Sequence, residues 1–304
     1  MKTDTKRWTR LGLTAALAGT TLLAACGNSG EAGEAGEQGE NAVSTTDAGE
    51  AATTARAPSY AAADGGEGEG AGGEGEGAGG EGEGGEGEGG VAVQQAATDP
   101  VVFRSALAIT EAHVIAARDA YIAGETNAAG EMFAHPVSEV LFDVGPYLEQ
   151  RGVENFDELL LNASSAVFEG ETNEQISERT DEIIATLRAA AEKAPDDGSS
   201  EARIQAGVAA DQIDRAAVMY TNALQSDFFE PYLDGYGFYE AAKAAFAEEE
   251  AAIRSELPEV ASAIDTALAQ LGEAYATVER PESMDANPAA LTATSSAVLL
   301  ALGN

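Results

Sequence analysis

The chain has two histidines, His113 and His135, and they stand at equal distances on either side of Gly124. If the chain reverses at that glycine, each lies about 16 Å along its own helix at 1.5 Å per residue. An antiparallel pair would then bring the two imidazoles to one level. His113 has small neighbours within two turns (Ala106, Thr110, Ala117), which leaves room for a partner side chain. His135 is followed at the fourth position by Glu139 and at the eighth by Asp143. Two imidazoles and a carboxylate form a ligand set suited to Fe, Cu, Zn or Mn. The same positions also suit histidines that are simply packed and hydrogen-bonded in a core. Glu111, Asp119 and Glu131 read as the solvated face of these helices.

A second group is the segment Glu230-Pro231-Tyr232-Leu233-Asp234-Gly235-Tyr236-Gly237-Phe238-Tyr239, dense in aromatics within a chain that is 6% aromatic. It reads as a helix start whose rings anchor in a core, with Glu230 or Asp234 favoured by the positive end of the helix dipole. The alternative makes Tyr232, Asp234 and Tyr236 part of a polar pocket. Together with Asp143, Tyr232 and Asp234 are the expected supporting or pocket groups behind the ligands His113, His135 and Glu139. Catalytic signatures are missing from the sequence. Cys26 is the single cysteine, and neither a His-Glu-x-x-His zinc motif nor a Cys-x-x-Cys-His haem motif occurs. The expectation is a protein that is not an enzyme.

The elements that must position these groups are helical. From Asp99-Pro100, an N-cap followed by proline at the first helical position, apolar residues recur at helical spacing with no strand alternation. Phe103, Leu107, Val114, Ala117 and Tyr121 line one face of a first helix ending near Gly124. A second helix runs from about Ala128 to Gly152, interrupted around Pro136 and Pro146, and a third spans 156–168. A fourth opens on Thr172-Asn173-Glu174-Gln175, a capping box, and turns Ile176, Ile183 and Leu187 inward. Further helices are expected over 201–224 (Ile213, Ala217, Tyr220 and Leu224 inward), 232–254, 259–279 and 289–302. Short connections between them specify an all-α, up-and-down helical bundle over 98–304, with many alanines allowing close helix approach.

The stretch AHVIAARDAYIAGETNAAGEMFAHPVSEVLFDVGPYLEQRGV (112–153), with YLDGYGFYEAAK (232–243), resembles the extracytoplasmic helical domain associated with bacterial iron permeases. It is more distantly similar to imelysin-like periplasmic proteins. The matching positions are His113, Tyr121 with Gly124, Glu139, and Tyr232, Asp234, Tyr236 with Gly237 and Phe238. The resemblance covers about a quarter of the helical region and implies iron as the ion. Two departures count against a full match. The imelysin His-x-x-Glu motif is missing, since His113 is followed by Val-Ile-Ala and His135 meets its Glu at the fourth position. No permease membrane domain accompanies the motifs either, so an iron role would be that of a separate lipoprotein. The missing motif also argues against an imelysin-type peptidase.

The N-terminal region reads as targeting and tether. Lys2, Lys6, Arg7 and Arg10 precede an apolar run too short for a comfortable membrane span, and the run ends in Leu23-Ala24-Ala25-Cys26, which resembles the bacterial lipobox. Residues 1–25 are the expected signal peptide and Cys26 the lipid attachment site, acylated more than once because a single chain binds membranes only marginally. Residues 26–97 contain GEGEGAGGEGEGAGGEGEGGEGEGG (66–90) and almost no aliphatic or aromatic side chains. Such a segment reads as a disordered linker reaching roughly 45 Å root-mean-square. Its glycines have no strand, helix start or lysine beside them, which excludes a phosphate-binding loop. Gly27 in place of Asp favours the outer membrane if the host is Gram-negative.

Net charge is −37, and residues 100–304 alone carry 36 Asp/Glu against 11 Lys/Arg. This field repels nucleic acid and anionic lipid and attracts cations. The functional expectation is a lipid-anchored protein of the bacterial envelope, periplasmic or surface-exposed, that binds iron or another transition metal for uptake or buffering. Its partners would be the bilayer, through acylated Cys26, and a metal permease or other envelope protein. The rival expectation is a non-catalytic acidic structural or interaction lipoprotein with packed histidines. Replacing Cys26 by Ser should release the protein from membranes or leave it uncleaved. Detergent-phase partitioning that the substitution does not change would refute lipid anchoring.

Overall fold

The computed structural model describes residues 93–303. Cys26, the leader before it and the Gly/Glu-rich linker lie outside the described residues. Within them the chain is an all-α, up-and-down bundle with no strand. A 3₁₀ turn, Val93–Ala97, leads into α1 (Pro100–Ala123) and α2 (Thr126–Pro136). A π turn (Val137–Leu141) joins α2 to α3 (Phe142–Gln150). There follow α4 (Asp157–Glu169), α5 (Asn173–Ala191), α6 (Glu201–Gln225), α7 (Glu230–Glu248), α8 (Glu250–Glu256), α9 (Pro258–Ala274) and α10 (Pro288–Leu302).

The helix ends follow from local chemistry. Asp99 accepts hydrogen bonds from the Val101 and Val102 backbone N–H groups at 2.8 and 3.2 Å, and Pro100 takes the first helical position. Gly124 closes α1 at φ +95°, a left-handed cap that costs glycine nothing. The hairpin at that glycine brings α2 back along α1. Thr172 and Gln175 form the reciprocal capping box at the start of α5.

α1 is the central helix, packed against α2, α5, α6 and α7, while α6 packs chiefly on α7 and also meets α9 and α10. By length and a mean hydropathy of 1.3, α1 could cross a membrane, yet 83% of its apolar window is buried inside the bundle. Its apolarity is that of a core helix. Phe103, Leu107, Val114 and Ala117 are buried, as are Ile176, Ile183 and Leu187 on α5 and Ile213, Ala217 and Tyr220 on α6. Tyr121 is half-buried, and its hydroxyl donates to the Glu171 carbonyl at 2.5 Å.

Several sequence expectations are corrected. Leu224 is 43% exposed, because α6 has only one more residue before it ends and its last turn leaves the core. The helix expected over 232–254 is two, broken at Glu249 (φ −123°, ψ 26°). The helix expected over 259–279 stops at Ala274. There Tyr275 turns inward, donates from its hydroxyl to the Ala216 carbonyl at 2.8 Å, and stacks among Tyr220, Tyr232 and Tyr239. Glu111 and Asp119 are not solvated. Glu111 is buried against Arg188 at 2.8 Å, and Asp119 accepts from Tyr236 at 2.8 Å and pairs with Arg118. Buried carboxylates need such partners.

Two glycines of α7 set how deeply that helix sits. A Cβ on Gly235 would overlap the Tyr275 hydroxyl, and one on Gly237 would meet the Ala112 carbonyl oxygen at 2.5 Å. The second obstacle is backbone and cannot swing aside. Exchanging glycine for alanine inside a helix ordinarily stabilises by about 0.5–1 kcal/mol. Gly237→Ala should reverse that sign and cost about 1–3 kcal/mol through overpacking. The expected fall in Tm is roughly 2–10 °C. Gly207→Ala, which meets only the movable methyls of Val101, should cost less. Thermal melts of the two variants test the ranking.

Candidate metal centre

His113 is the deepest part of the site. It stands in the middle of α1, is 5% exposed, and places Nδ1 2.8 Å from the Ile109 carbonyl oxygen one turn back. That contact makes Nδ1 the protonated, donating nitrogen and leaves Nε2 with a lone pair. Burial pushes the His113 pKa down from 6.5 to about 4, opposed by the Ile109 hydrogen bond and reinforced by His135 and Arg215. At neutral pH the ring is therefore an uncharged ligand of fixed tautomer. Phe238 packs edge-on against it with centroids 5.8 Å apart.

The hairpin at Gly124 returns His135 to the same level, with the two imidazole centroids 6.3 Å apart and their planes at 72°. His135 lies in the last turn of α2, just before Pro136. Proline removes one helical N–H and crowds the preceding turn, and here the chain widens into the π turn. The Phe142 N–H reaches back to the Val137 carbonyl, and Ser138 covers the His135 carbonyl from its hydroxyl at 3.2 Å. π turns of this kind occur often at functional sites. This one carries Glu139, whose Oε1 lies 3.8 Å from His135 Nδ1 and whose Oε2 lies 3.8 Å from His113 Nε2. One ligand atom from each of His113, His135 and Glu139 falls within 4.8 Å of the other two. The expected trio is thus assembled.

α7 closes the site from the other side. Asp234 Oδ1 lies 3.7 Å from His113 Nε2, and Glu230 Oε1 lies 3.7 Å from His135 Nδ1. Asp234 Oδ1 is buried and has no hydrogen-bond partner. Burial, followed by the charges of Glu230 and Glu139, holds the Asp234 pKa well above the ordinary carboxylate range. Nitrogen lone pairs and carboxylate oxygens converge here at 3.7–3.8 Å. Donors sharing one ion at about 2.1 Å sit roughly 3–3.4 Å apart, so small side-chain adjustments would make these separations edges of a coordination shell. On the solvent side, a cavity of about 150 Å³ is lined by His135, Glu230, Glu131, Met132, Phe228 and Leu233.

The supporting residues sort differently from the expectation. Asp234 faces His113 directly. Tyr232 turns into the core, donating from its hydroxyl to the Thr277 carbonyl at 2.8 Å and stacking on Phe229. Burial raises its pKa to about 12, and it is an anchor with no part in a pocket. Tyr236 likewise donates to Asp119. Asp143 is half-buried on α3, one helical turn past Glu139, and no hydrogen bond or ion pair joins it to the cluster. Glu230 was missed as a site residue. Its signal lay in the spacing, since Glu230 and Asp234 are four apart on α7 as His135 and Glu139 are four apart across the π turn. Arg215, near enough to depress His113, carried no signal in the sequence. Its Nε pairs with Asp211 at 3.0 Å, and its guanidinium lies 5.9 Å from the Phe238 centroid.

No protein-family model matches the chain, and no curated protein or solved structure is found to be similar to it. None of these comparisons links the chain to iron-permease-associated or imelysin-like domains.

A carboxyl whose folded pKa is raised opposes folding more as pH climbs above its unfolded value. Asp234→Asn should therefore raise the Tm of metal-free protein at pH 7, by about 0.5–2 kcal/mol or roughly 1–8 °C. The gain should shrink as pH falls towards 4, where wild-type Asp234 is protonated too. Paired melts at pH 7 and pH 4.5 check both the sign and the trend.

Proposed function

We propose that the protein is a lipid-anchored, extracytoplasmic lipoprotein that holds a transition metal, with iron the expected ion, inside its helical bundle for uptake or buffering, and that it is not an enzyme. One observation carries the reading. Both histidines of the chain come from opposite arms of one hairpin and meet beside Glu139, with ligand atoms within 4.8 Å. The fixed tautomer of His113 adds support, because metal-bound histidines commonly donate the other ring nitrogen to a carbonyl or carboxylate. So does the charge: with 36 Asp/Glu against 11 Lys/Arg over residues 100–304, the helical region attracts cations. Anchoring through Cys26 and a permease or other envelope partner belong to the same proposal and rest on the lipobox-like leader and the motif resemblance.

Calorimetric titration of Fe(II), Mn(II), Zn(II) and Cu(II) into the purified protein tests the reading. At least one ion should bind more tightly than 0.1 mM, about 5.5 kcal/mol. At free metal a hundredfold above Kd, binding to the folded form alone should add about 2.7 kcal/mol, or roughly 5–11 °C in Tm. His113→Ala and His135→Ala should each abolish most of that rise, and the double variant should be little worse than either. If no ion binds at this level and Tm is indifferent to metal, the histidines are packing residues and the acidic interaction lipoprotein becomes the better reading.

A further inference from the structure

The donors of the site fall into two matched halves. His113 Nε2 faces Asp234 Oδ1 at 3.7 Å and Glu139 Oε2 at 3.8 Å. His135 Nδ1 faces Glu230 Oε1 at 3.7 Å and Glu139 Oε1 at 3.8 Å. Each imidazole thus has its own carboxylate from α7, and the two oxygens of Glu139 are divided one to each half. Resting on the metal reading above, we propose that the site binds two divalent transition-metal ions bridged by the Glu139 carboxylate. One ion lies between His113 and Asp234, and the other between His135 and Glu230.

The direction of the carboxylates bears on whether they are ligands. In a single-ion site, carboxylates outside the coordination shell accept the N–H of the ring nitrogen that does not bind the metal. In His113 that nitrogen, Nδ1, is already committed to the Ile109 carbonyl. Asp234 instead faces Nε2, the nitrogen with the lone pair, and Glu230 faces the same His135 nitrogen that Glu139 does. Asp234 is therefore placed as a ligand, and Glu230 stands at the same distance from His135. Asp234 Oδ1, buried without a hydrogen-bond partner, is open to an ion at His113. Two ions use every one of these atoms. A carboxylate bridging through both oxygens spans metals about 3.5–4 Å apart. The two ions would differ in access. The His113 half is enclosed, whereas Glu230 is 55% exposed at the edge of the cavity that His135 lines.

Mn(II) is the probe, added to the full-length protein in excess Mg(II), which occupies the solvated carboxylates of the acidic surface. Retained metal is counted by elemental analysis after dialysis, with spin coupling read by electron paramagnetic resonance. The wild type should retain two Mn(II) per chain with the signal of a coupled pair. Asp234→Asn and Glu230→Gln should each retain one and lose the coupling. Both variants should fold, the first because it relieves a buried charge and the second because Glu230 is at the surface. One ion per chain in the wild type overturns the pair while leaving the single-ion reading intact. Two ions that neither substitution removes place the second elsewhere and also overturn it. No retained ion overturns the pair together with the metal reading beneath it.

Discussion

The closeness of α7 to α1 is the constraint on which the rest of the site depends. Gly237 lies where an added Cβ would stand 2.5 Å from the Ala112 carbonyl oxygen, one residue before His113. Only a glycine lets the two backbones approach this closely, and the approach carries Asp234, one turn earlier on α7, to within 3.7 Å of the His113 ring. Phe238, next after the glycine, then packs edge-on against the same imidazole. A larger residue at 237 would leave every side chain of the site present but the two halves apart.

Small residues play the same part throughout the bundle. Buried alanines such as Ala106, Ala116, Ala209, Ala216 and Ala242 line the contacts of α1, α6 and α7, and small side chains shorten the interaxial distance at such contacts. The consequence is a core with few large side chains, in which the tyrosine cluster of Tyr220, Tyr232 and Tyr275 supplies much of the bulk. Each of those hydroxyls has a backbone partner: Tyr232 donates to Thr277, Tyr275 donates to Ala216, and Tyr220 accepts from the Ala286 N–H. Buried phenols require this satisfaction. Their commitment to backbone groups is also why the aromatic segment of α7 anchors the helix and offers no polar pocket.

The polar interior divides into two kinds. Glu111 with Arg188, and Asp211 with Arg215, are buried acids matched to a cation. Around His113 and Asp234 the arrangement is different. A neutral imidazole presents its lone pair to carboxylate oxygens, and burial with two neighbouring carboxylates drives Asp234 towards its protonated form. The geometry of these groups is set by helices that pack elsewhere in the bundle.

Most of the secondary structure was legible because it follows from local rules. Asp99-Pro100, Gly124 and the Thr172–Gln175 box set helix ends through backbone groups within a few residues of themselves. The meeting of His113 and His135 was legible for the same reason, since both stand equally far from one hairpin glycine. Glu139 followed from its distance to His135, although the π turn that presents it did not. What sequence could not decide was which residues of α7 face that hairpin, because α7 is remote in the chain and its rotation is set by Gly235 against Tyr275 and Gly237 against Ala112. Those contacts turned Tyr232 into the core and brought Asp234 and Glu230 to the imidazoles. The end of the expected helix at Ala274 and the burial of Glu111 are of the same kind, each set by a partner dozens of residues away. The sequence by itself determined the helices, the hairpin and the pair of histidines, all products of short-range geometry. Only the tertiary structure decided how many carboxylates meet them, because that depends on how close two distant backbones can come.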